Sequence, residues 1–275
     1  MTINEILEIN NLQIIKKKEI INEIGILKKQ KYVLHTGTKS FDETLGGGFC
    51  SRSKYLIFGA NNTGKTQLCH QLCVQAYIQF SKIFENSENR KRQFIFYFDA
   101  ENTFRPERLK ELIFNDKVEY NELLRNILVS KIMSNSALLL SLKELENFLK
   151  MNSFSILIID TINTYYRSEL ANKKISPNKT KSTFMKLLEK IHQLTIDYNL
   201  ITITTAQVIS NIVRENSIRA LPSGYQLLNH YFSENVYLEY KEQNKRYIHL
   251  INSLRLPEKR LLYKITPMGI QDYKV

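Results

Sequence analysis

The chain is 275 residues long and 43% hydrophobic, which favours one large α/β domain over two small ones. No apolar run reaches the roughly 18 residues of a membrane span, and the first residues lack the basic start of a signal peptide. We therefore expect an intracellular protein without a membrane partner, cytoplasmic in a prokaryote and nuclear in a eukaryote. Lysine and arginine exceed aspartate and glutamate by 39 − 27 = 12. This excess indicates a polyanionic partner such as nucleic acid, although the Lys-, Asn- and Ile-rich composition is an alternative source of the charge.

The chain begins with a segment, residues 1–32, that is predicted to be helical. Its apolar residues recur at mostly helical spacing around a basic KKK run. Because it is too short to fold alone, we expect it to pack either on the rest of this chain or on a neighbouring subunit.

From residue 33 onward, strand-like and helix-like runs alternate. The predicted strands, in chain order, are KYLIFG, QFIFYFDA, FSILIID, LITITTAQV, NVYLEY, RYIHLIN and LLYKIT. Helical runs separate the first four, which predicts an α/β fold with a mainly parallel twisted sheet and helices on both faces. The last three runs have no helices between them and are predicted to be antiparallel strands at one edge.

Three cysteines give no disulfide framework. Cys69 and Cys73 lie four residues apart in the helix-like run QLCHQLCV. Packing in the core is the favoured interpretation for both, and a metal site that includes His70 is the alternative.

The octapeptide GANNTGKT matches the phosphate-binding loop G-x-x-x-x-G-K-[ST], between a predicted strand and a predicted helix. Glycines let backbone N–H groups surround a phosphate, and the helix N-terminus adds its dipole. We expect Lys65 to reach the β- and γ-phosphates and Thr66 to bind Mg²⁺. The candidate nucleotide-binding residues are Gly59, Ala60, Asn61, Asn62, Thr63, Gly64, Lys65, Thr66 and Gln67.

Two acids end neighbouring predicted strands. Asp160 closes the run ILIID and is expected to hold the metal with Thr66, although an Asp that only caps a strand is the alternative. Glu101 follows the run FIFYFDA. Because ligands of parallel sheets bind at the carboxyl ends of strands, Glu101 is placed to activate a water. A surface salt bridge with Arg105 or Arg108 is the alternative for Glu101.

Seven segments, in the same order, resemble archaeal RadA and the eukaryotic strand-exchange recombinases of the RecA superfamily. They are LHTGTKSFDETLGGG, GKTQLCHQL, YFDAENTFRPERL, LIIDTINTYYRSEL, ITTAQV, NSLRLPE and ITPMGIQD. The resemblance covers about residues 33–272. It implies a RecA-like P-loop ATPase core over residues 33–275 that uses ATP and Mg²⁺.

The resemblance also implies roles for single residues. Glu101 corresponds to the general base, with Lys65 and Gln207 as its catalytic partners. Gln207 is the position that senses the γ-phosphate and moves the second DNA-binding loop. Three further positions contact the nucleotide within or across a subunit interface. Arg108 and Pro257 correspond to the pair that sandwiches adenine, with the Pro coming from a neighbouring subunit. His230 corresponds to a histidine that reaches the neighbour's γ-phosphate.

Two segments correspond to the DNA-binding loops of that family. Loop 167–181 carries Arg167, Lys173, Lys174, Lys179 and Lys181, which suit phosphate contacts and salt-dependent binding. Loop 209–224 carries Arg214 and Arg219, with aliphatic residues that could wedge between bases. Single-stranded DNA is the expected partner, and double-stranded DNA is a second candidate because it carries the same phosphates. The alternative is two solvated loops without a DNA role.

Some positions depart from the family pattern. Ala206 replaces an Asn, Ser223-Gly224 replaces paired glycines, and Asn252 replaces an acid of the adenine cap. Residues 1–40 contain no Phe for a Phe-x-x-Ala tether, and 32 residues are too few for the family's N-terminal domain. We therefore expect an accessory paralogue of the RadB type that self-associates or assists a recombinase. A full filament-forming recombinase is the alternative, and a RecA-fold ATPase outside recombination is a weaker one.

Overall fold

The computed structural model describes residues 31–84, 93–113, 118–150, 153–210, 220–242 and 244–273. The chain divides into two compact units, residues 1–32 and residues 33–275. The predicted helical segment at residues 1–32 lies almost entirely outside the described residues. No helix in the described ranges is long and apolar enough to cross a membrane.

A large mixed sheet forms the centre of the second unit, with the strand order β12-β11-β10-β9-β3-β7-β6-β4-β5. The strands from β9 to β5 in this order are parallel to one another, and β9 to β12 are antiparallel. A separate two-stranded sheet pairs β1 with β2, and β8 pairs with the end of β7. The strands are β1 (Val33–Leu34), β2 (Phe49–Cys50), β3 (Ser53–Gly59), β4 (Gln93–Asp99), β5 (Ile127–Lys131), β6 (Ser153–Asp160), β7 (Ile201–Ser210), β8 (Ala220–Pro222), β9 (Glu234–Glu242), β10 (Lys245–Ser253), β11 (Lys259–Thr266) and β12 (Gly269–Asp272).

Helices flank the sheet and bury its apolar strands. The described helices are α1 (Lys39–Thr44), α2 (Lys65–Phe84), α3 (Pro106–Glu111), α4 (Tyr120–Arg125), α5 (Asn135–Leu149), α6 (Thr164–Ala171), α7 (Pro177–Asp197) and α8 (Tyr225–Tyr231). Leucines of α5 and α7 pack in one core cluster with side chains of β3, β4, β6 and β7. Because both faces of these strands are covered, β3, β4 and β6 contain continuous apolar runs, and the threonines of β7 are buried as well. The predicted α/β class, parallel sheet and antiparallel edge are confirmed.

One strand at the antiparallel edge has a different place from the one predicted. The run NVYLEY is β9, which is antiparallel to β10 but pairs in parallel with β3. It therefore lies inside the sheet, where it joins the parallel and antiparallel parts. Strand β5 was not predicted. It lies at the end of the sheet, only its first residue Ile127 is buried, and its sequence ILVSK has just three apolar residues in a row.

The segment predicted as loop 167–181 is mostly helical, which corrects the sequence-based assignment. Helix α6 continues to Ala171 and α7 begins at Pro177, so residues 172–176 alone connect them. Pro177 is favourable in the first turn of a helix because its missing N–H would have no intrahelical partner there. Tyr166 of α6 stacks on Phe184 of α7, with ring centroids 4.2 Å apart, and this contact fixes the two helices to each other.

Candidate active site

The phosphate-binding loop connects the carboxyl end of β3 to the first residue of α2. Gly59 is required because a Cβ there would lie 2.2 Å from the backbone oxygen of Leu238. Gly64 has φ +100°, in the left-handed region that favours glycine. The hydroxyl of Tyr263, on β11, donates to the carbonyl of Thr63 at 2.5 Å. The antiparallel part of the sheet therefore helps to hold the loop in shape.

Lys65 is buried beneath this loop. Its Nζ donates to the carbonyl oxygens of Gly59 at 2.8 Å and Ala60 at 3.0 Å. Burial lowers the pKa of Lys65, and the charges of Asp160 and Glu101 oppose that change. Within the described part of the chain, no carboxylate forms an ion pair with it. Its donors are held by neutral carbonyls, and a phosphate group in their place would add the attraction of an opposite charge.

Asp160 lies fully buried at the end of β6, and hydroxyl groups surround its carboxylate. Thr66 donates to Oδ2 at 2.8 Å, Tyr97 donates to the same oxygen at 2.9 Å, and Thr205 donates to Oδ1. Burial and the charge of Asp160 raise the pKa of Tyr97, so its phenol remains a donor. Thr66 and Asp160 thus form a compact pair of oxygen ligands of the kind that Mg²⁺ prefers.

Glu101 lies just past β4, and the described hydrogen bonds of its side chain all involve Oε1. The amide Nε2 of Gln207 donates to this oxygen at 2.6 Å. The hydroxyls of Thr161 and Thr164 each lie 3.0 Å from it and 2.6 Å from each other. The two hydroxyl groups have only two protons for these three contacts. Either both donate to Glu101, or one threonine donates to Glu101 and the other threonine donates to the first. The predicted alternative, a salt bridge of Glu101, is absent from the described ion pairs, in which Arg108 pairs with Glu111 instead.

Gln207 is held on its other side by α6. Its Oε1 accepts a hydrogen bond from Nη1 of Arg167 at 3.0 Å. Its backbone is fixed by Asn163, which donates to the Gln207 carbonyl at 2.8 Å and accepts from the Gln207 N–H at 3.0 Å. Glu101, Gln207 and Arg167 therefore form one hydrogen-bonded chain from β4 to the helix that precedes the basic turn.

The segment FDAENTFRPERL is organised by Asp99, the last residue of β4. Its carboxylate accepts from the backbone N–H groups of Glu101, Thr103 and Phe104 at 3.0–3.2 Å. A buried strand ends in an acid at this point because these three N–H groups need an acceptor where the chain turns.

Arg108 forms one wall beside the phosphate-binding loop. Its Nε donates to Oε1 of Gln67 at 2.7 Å, and its other nitrogens reach Glu111 and the carbonyls of Thr266 and Pro267. The guanidinium plane is therefore fixed next to the first turn of α2. This placement suits the predicted contact with a nucleotide base.

His230 and Pro257 do not lie beside the phosphate-binding loop of their own chain. A cavity of about 370 Å³ is lined by His230 together with Lys54, which lies at the amino end of β3. The loop follows the other end of the same strand, about 16 Å away at 3.3 Å per residue. Pro257 follows β10, whose last residue Ser253 pairs with Glu234 near that same amino end.

Four of the predicted DNA-binding lysines form an exposed group, which we call the α6–α7 lysines: Lys173, Lys174, Lys179 and Lys181. Lys173 and Lys174 lie in the turn between the helices, and the other two lie in the first turns of α7. The second predicted loop begins with a two-stranded stem, in which β7 and β8 pair from Val208 to Pro222. Arg214 and Arg219 lie outside the described residues.

A sequence profile described as Rad51 matches residues 28–273. The chain belongs to the Rad51 family. The meiotic recombination protein DLH1 of Candida albicans is 30% identical over 264 residues, covering 94% of this chain and 79% of the relative. The DNA repair and recombination protein RadA of Methanococcus maripaludis strain C5 is 29% identical over 262 residues, covering 90% and 79%. A second RadA, from strain S2 of that species, is 29% identical over 259 residues. The predicted resemblance is confirmed, and the chain is a recombination protein of the Rad51 family with a RecA-like fold.

Several residues of this Rad51-family site were not predicted from the sequence. Thr161, Thr164, Asn163 and Thr205 hold Glu101, Gln207 and Asp160, and they lie next to the strand ends that were recognised. His70 was predicted only as an alternative metal ligand. Its Nδ1 lies 2.8 Å from the carbonyl of Thr66, and its Nε2 accepts from the N–H of Arg105 at 2.9 Å, so it fixes the FRPERL segment to α2.

The prediction that the two helix cysteines pack in the hydrophobic core is confirmed, since Cys69 and Cys73 are fully buried. Both ring nitrogens of His70 are engaged, and no cluster of His, Cys, Asp and Glu suited to a metal occurs in the described ranges.

Proposed function

We propose that this chain is an ATP-hydrolysing, DNA-binding recombination protein in which Glu101 is the general base. The observation that carries this proposal is the convergence, at the carboxyl ends of neighbouring parallel strands, of Lys65 with two hydrogen-bonded pairs, Thr66 with Asp160 and Gln207 with Glu101. Lys65 and Thr66 follow β3, Glu101 follows β4, Asp160 ends β6 and Gln207 lies on β7. Each side chain has the chemistry and the place that phosphoryl transfer requires.

The residues fit ATP and Mg²⁺. The N–H groups of the phosphate-binding loop and Lys65 would hold the β- and γ-phosphates, and Thr66 with Asp160 would hold the metal. Bound Mg²⁺ supplies positive charge that offsets the charge developing on the phosphate oxygens. The hydrogen bonds to Glu101 reach Oε1, so we assign Oε2 as the oxygen that takes a proton from the attacking water.

Completion of the site by a neighbouring subunit is part of this proposal. His230 and Pro257 lie near the amino end of β3, whereas their own phosphate-binding loop follows the carboxyl end of that strand. A second copy of this chain, or a recombinase of the same family, would bring these residues to the nucleotide. Arg108 would contact one face of adenine and the partner's proline the other. Association should therefore depend on ATP.

Single-stranded DNA is the proposed polyanionic ligand. The α6–α7 lysines are exposed, and they lie beside the helix that reaches Gln207 through Arg167. The test is a titration of fluorescent poly(dT) at several salt concentrations, with and without ATP and Mg²⁺. We expect ATP-dependent binding that weakens steeply with salt. An affinity for poly(dT) that changes neither with ATP nor with salt concentration would contradict the DNA role.

We further propose an accessory role beside a recombinase. The support lies in the departures from the family pattern: Ala206 is buried in β7, and Asn252 at the adenine cap contacts Asn229 at 2.9 Å where the family has an acid. Electron microscopy with ATP, Mg²⁺ and single-stranded DNA tests this role. We expect short assemblies from this chain alone and longer or more numerous filaments when a recombinase from the same source is added. Long regular filaments of this chain alone would favour the alternative, a full recombinase.

A further inference from the structure

The hydrogen-bonded chain Arg167–Gln207–Glu101 has an orientation that its chemistry determines. An arginine can only donate, and an ionised carboxylate can only accept. The amide between them must therefore direct its oxygen to Arg167 and its nitrogen to Glu101, at 3.0 Å and 2.6 Å. If the Gln207 amide were turned over, its NH₂ group would face the Arg167 guanidinium, donor against donor. Its oxygen would face the Glu101 carboxylate, acceptor against acceptor. Arg167 thus keeps Gln207 on Glu101.

The Arg167 side chain is also accessible to an incoming phosphate. It lies on α6, shortly before the exposed turn that carries Lys173 and Lys174, and it is only half-buried. A cavity of about 650 Å³ lies beside it and gives these side chains room to move. It is lined by Glu101, Thr164, Arg167, Ser168, Gln207 and Ser223, among others.

We propose that Arg167 is a positioning residue that restrains the base until DNA binds. This inference rests on the proposed ATPase function and deepens it by assigning its regulation. A DNA phosphate competes with the Gln207 side-chain carbonyl for the guanidinium group. The phosphate is favoured because it brings a negative charge and can accept two parallel N–H bonds from the guanidinium fork, whereas the Gln207 carbonyl is neutral and accepts one bond from it.

Two consequences follow when Arg167 turns to the phosphate. Gln207 loses the partner that fixed its amide, so its nitrogen is free to leave Glu101 Oε1 for the nucleotide. Glu101 gives up its closest donor, and a carboxylate with fewer donors accepts a proton more readily. DNA binding at α6 would thereby raise the rate of ATP hydrolysis without any direct contact between DNA and nucleotide.

Arg167→Gln tests this mechanism by steady-state ATP hydrolysis with and without saturating poly(dT). We expect DNA-free kcat to rise by about three- to tenfold, since one of the donors to Glu101 is loosened. The KM for ATP should not change, and the ratio of DNA-stimulated to DNA-free turnover should fall towards one. Lys186→Gln, which removes the same charge from the exposed side of α7, is the matched control and should leave both rates unchanged.

Arg167→Lys separates this role from simple phosphate attraction. Lysine keeps the charge but lacks the planar fork that fixes the amide. We expect DNA affinity close to that of the unmodified chain, together with a raised DNA-free kcat. If both variants kept the original DNA-free rate, or lowered it, the inference would be overturned, because a phosphate contact alone affects DNA affinity and a structural role lowers turnover.

The proposed function and the role of Arg167 fail in different ways. If the unmodified chain showed no ATP hydrolysis, the proposed function would fail and this inference with it. If the unmodified chain were stimulated by DNA while Arg167→Gln retained the same stimulation ratio, this inference alone would fail.

Discussion

Replacing Glu101 with glutamine removes the proposed base with little change in shape. Glutamine retains a carbonyl oxygen that can accept from Gln207 and the two threonine hydroxyls, as Oε1 of Glu101 does at 2.6–3.0 Å. The amide nitrogen at the other position cannot take a proton from water. Loss of a general base lowers turnover by about 10²- to 10⁴-fold. That factor corresponds to about 3–5 kcal/mol of transition-state stabilisation.

The assay combines steady-state ATP hydrolysis with equilibrium binding of a fluorescent ATP analogue. We expect turnover to fall by the factor given above while the Kd of the analogue stays within a few-fold. Glu107→Gln, at an exposed position on α3, makes the same charge change and should behave as the unmodified chain. Turnover of Glu101→Gln close to the unmodified rate would refute the assignment of the base.

Three further predictions concern stability and DNA binding. Burial lowers the pKa of His70 below its usual 6.5, so the unfolded chain takes up the proton first. The free energy of unfolding should fall as pH drops below 6.5, by up to about 1.4 kcal/mol per pH unit, and His70→Asn should flatten this slope in urea titrations. Replacing the α6–α7 lysines with glutamine should reduce the log–log salt dependence of DNA binding by about 0.7 for each phosphate contact removed, and an unchanged slope would mean a solvated surface only. Gly59→Ala should lower the free energy of unfolding by about 1–3 kcal/mol, because its Cβ would overlap the Leu238 carbonyl, and a stability equal to that of the unmodified chain would contradict the loop geometry.

Local patterns were sufficient to predict the strands that carry the site. Strands β3, β4 and β6 lie inside the sheet, so each appears as an apolar run that ends at or just before a functional residue, whereas β7 reaches Gln207 through isoleucines and buried threonines. The phosphate-binding loop is likewise encoded in eight consecutive residues. Pairing between distant segments could not be predicted in this way. Strand β9 is parallel to β3 because of its register with Tyr55–Gly59, about 180 residues earlier in the chain.

The basic segment 167–181 was predicted as a loop because its buried positions are few. Thr180 and Phe184 are among the first buried residues of α7, and Lys181 between them is exposed. The contacts that hold the base were missed for a related reason. Arg167 and Asn163 meet Gln207 across 40 and 44 residues of sequence, and such a contact leaves no local pattern.

Hydrolysis of ATP in response to DNA is the activity that we propose for this Rad51-family chain. The most direct test is the rate of phosphate release from ATP by the purified unmodified chain, with Mg²⁺, before and after addition of poly(dT). We predict measurable hydrolysis that rises on addition of DNA and disappears when Mg²⁺ is chelated. No phosphate release above background, or release that is the same with and without DNA and Mg²⁺, would contradict the proposed function.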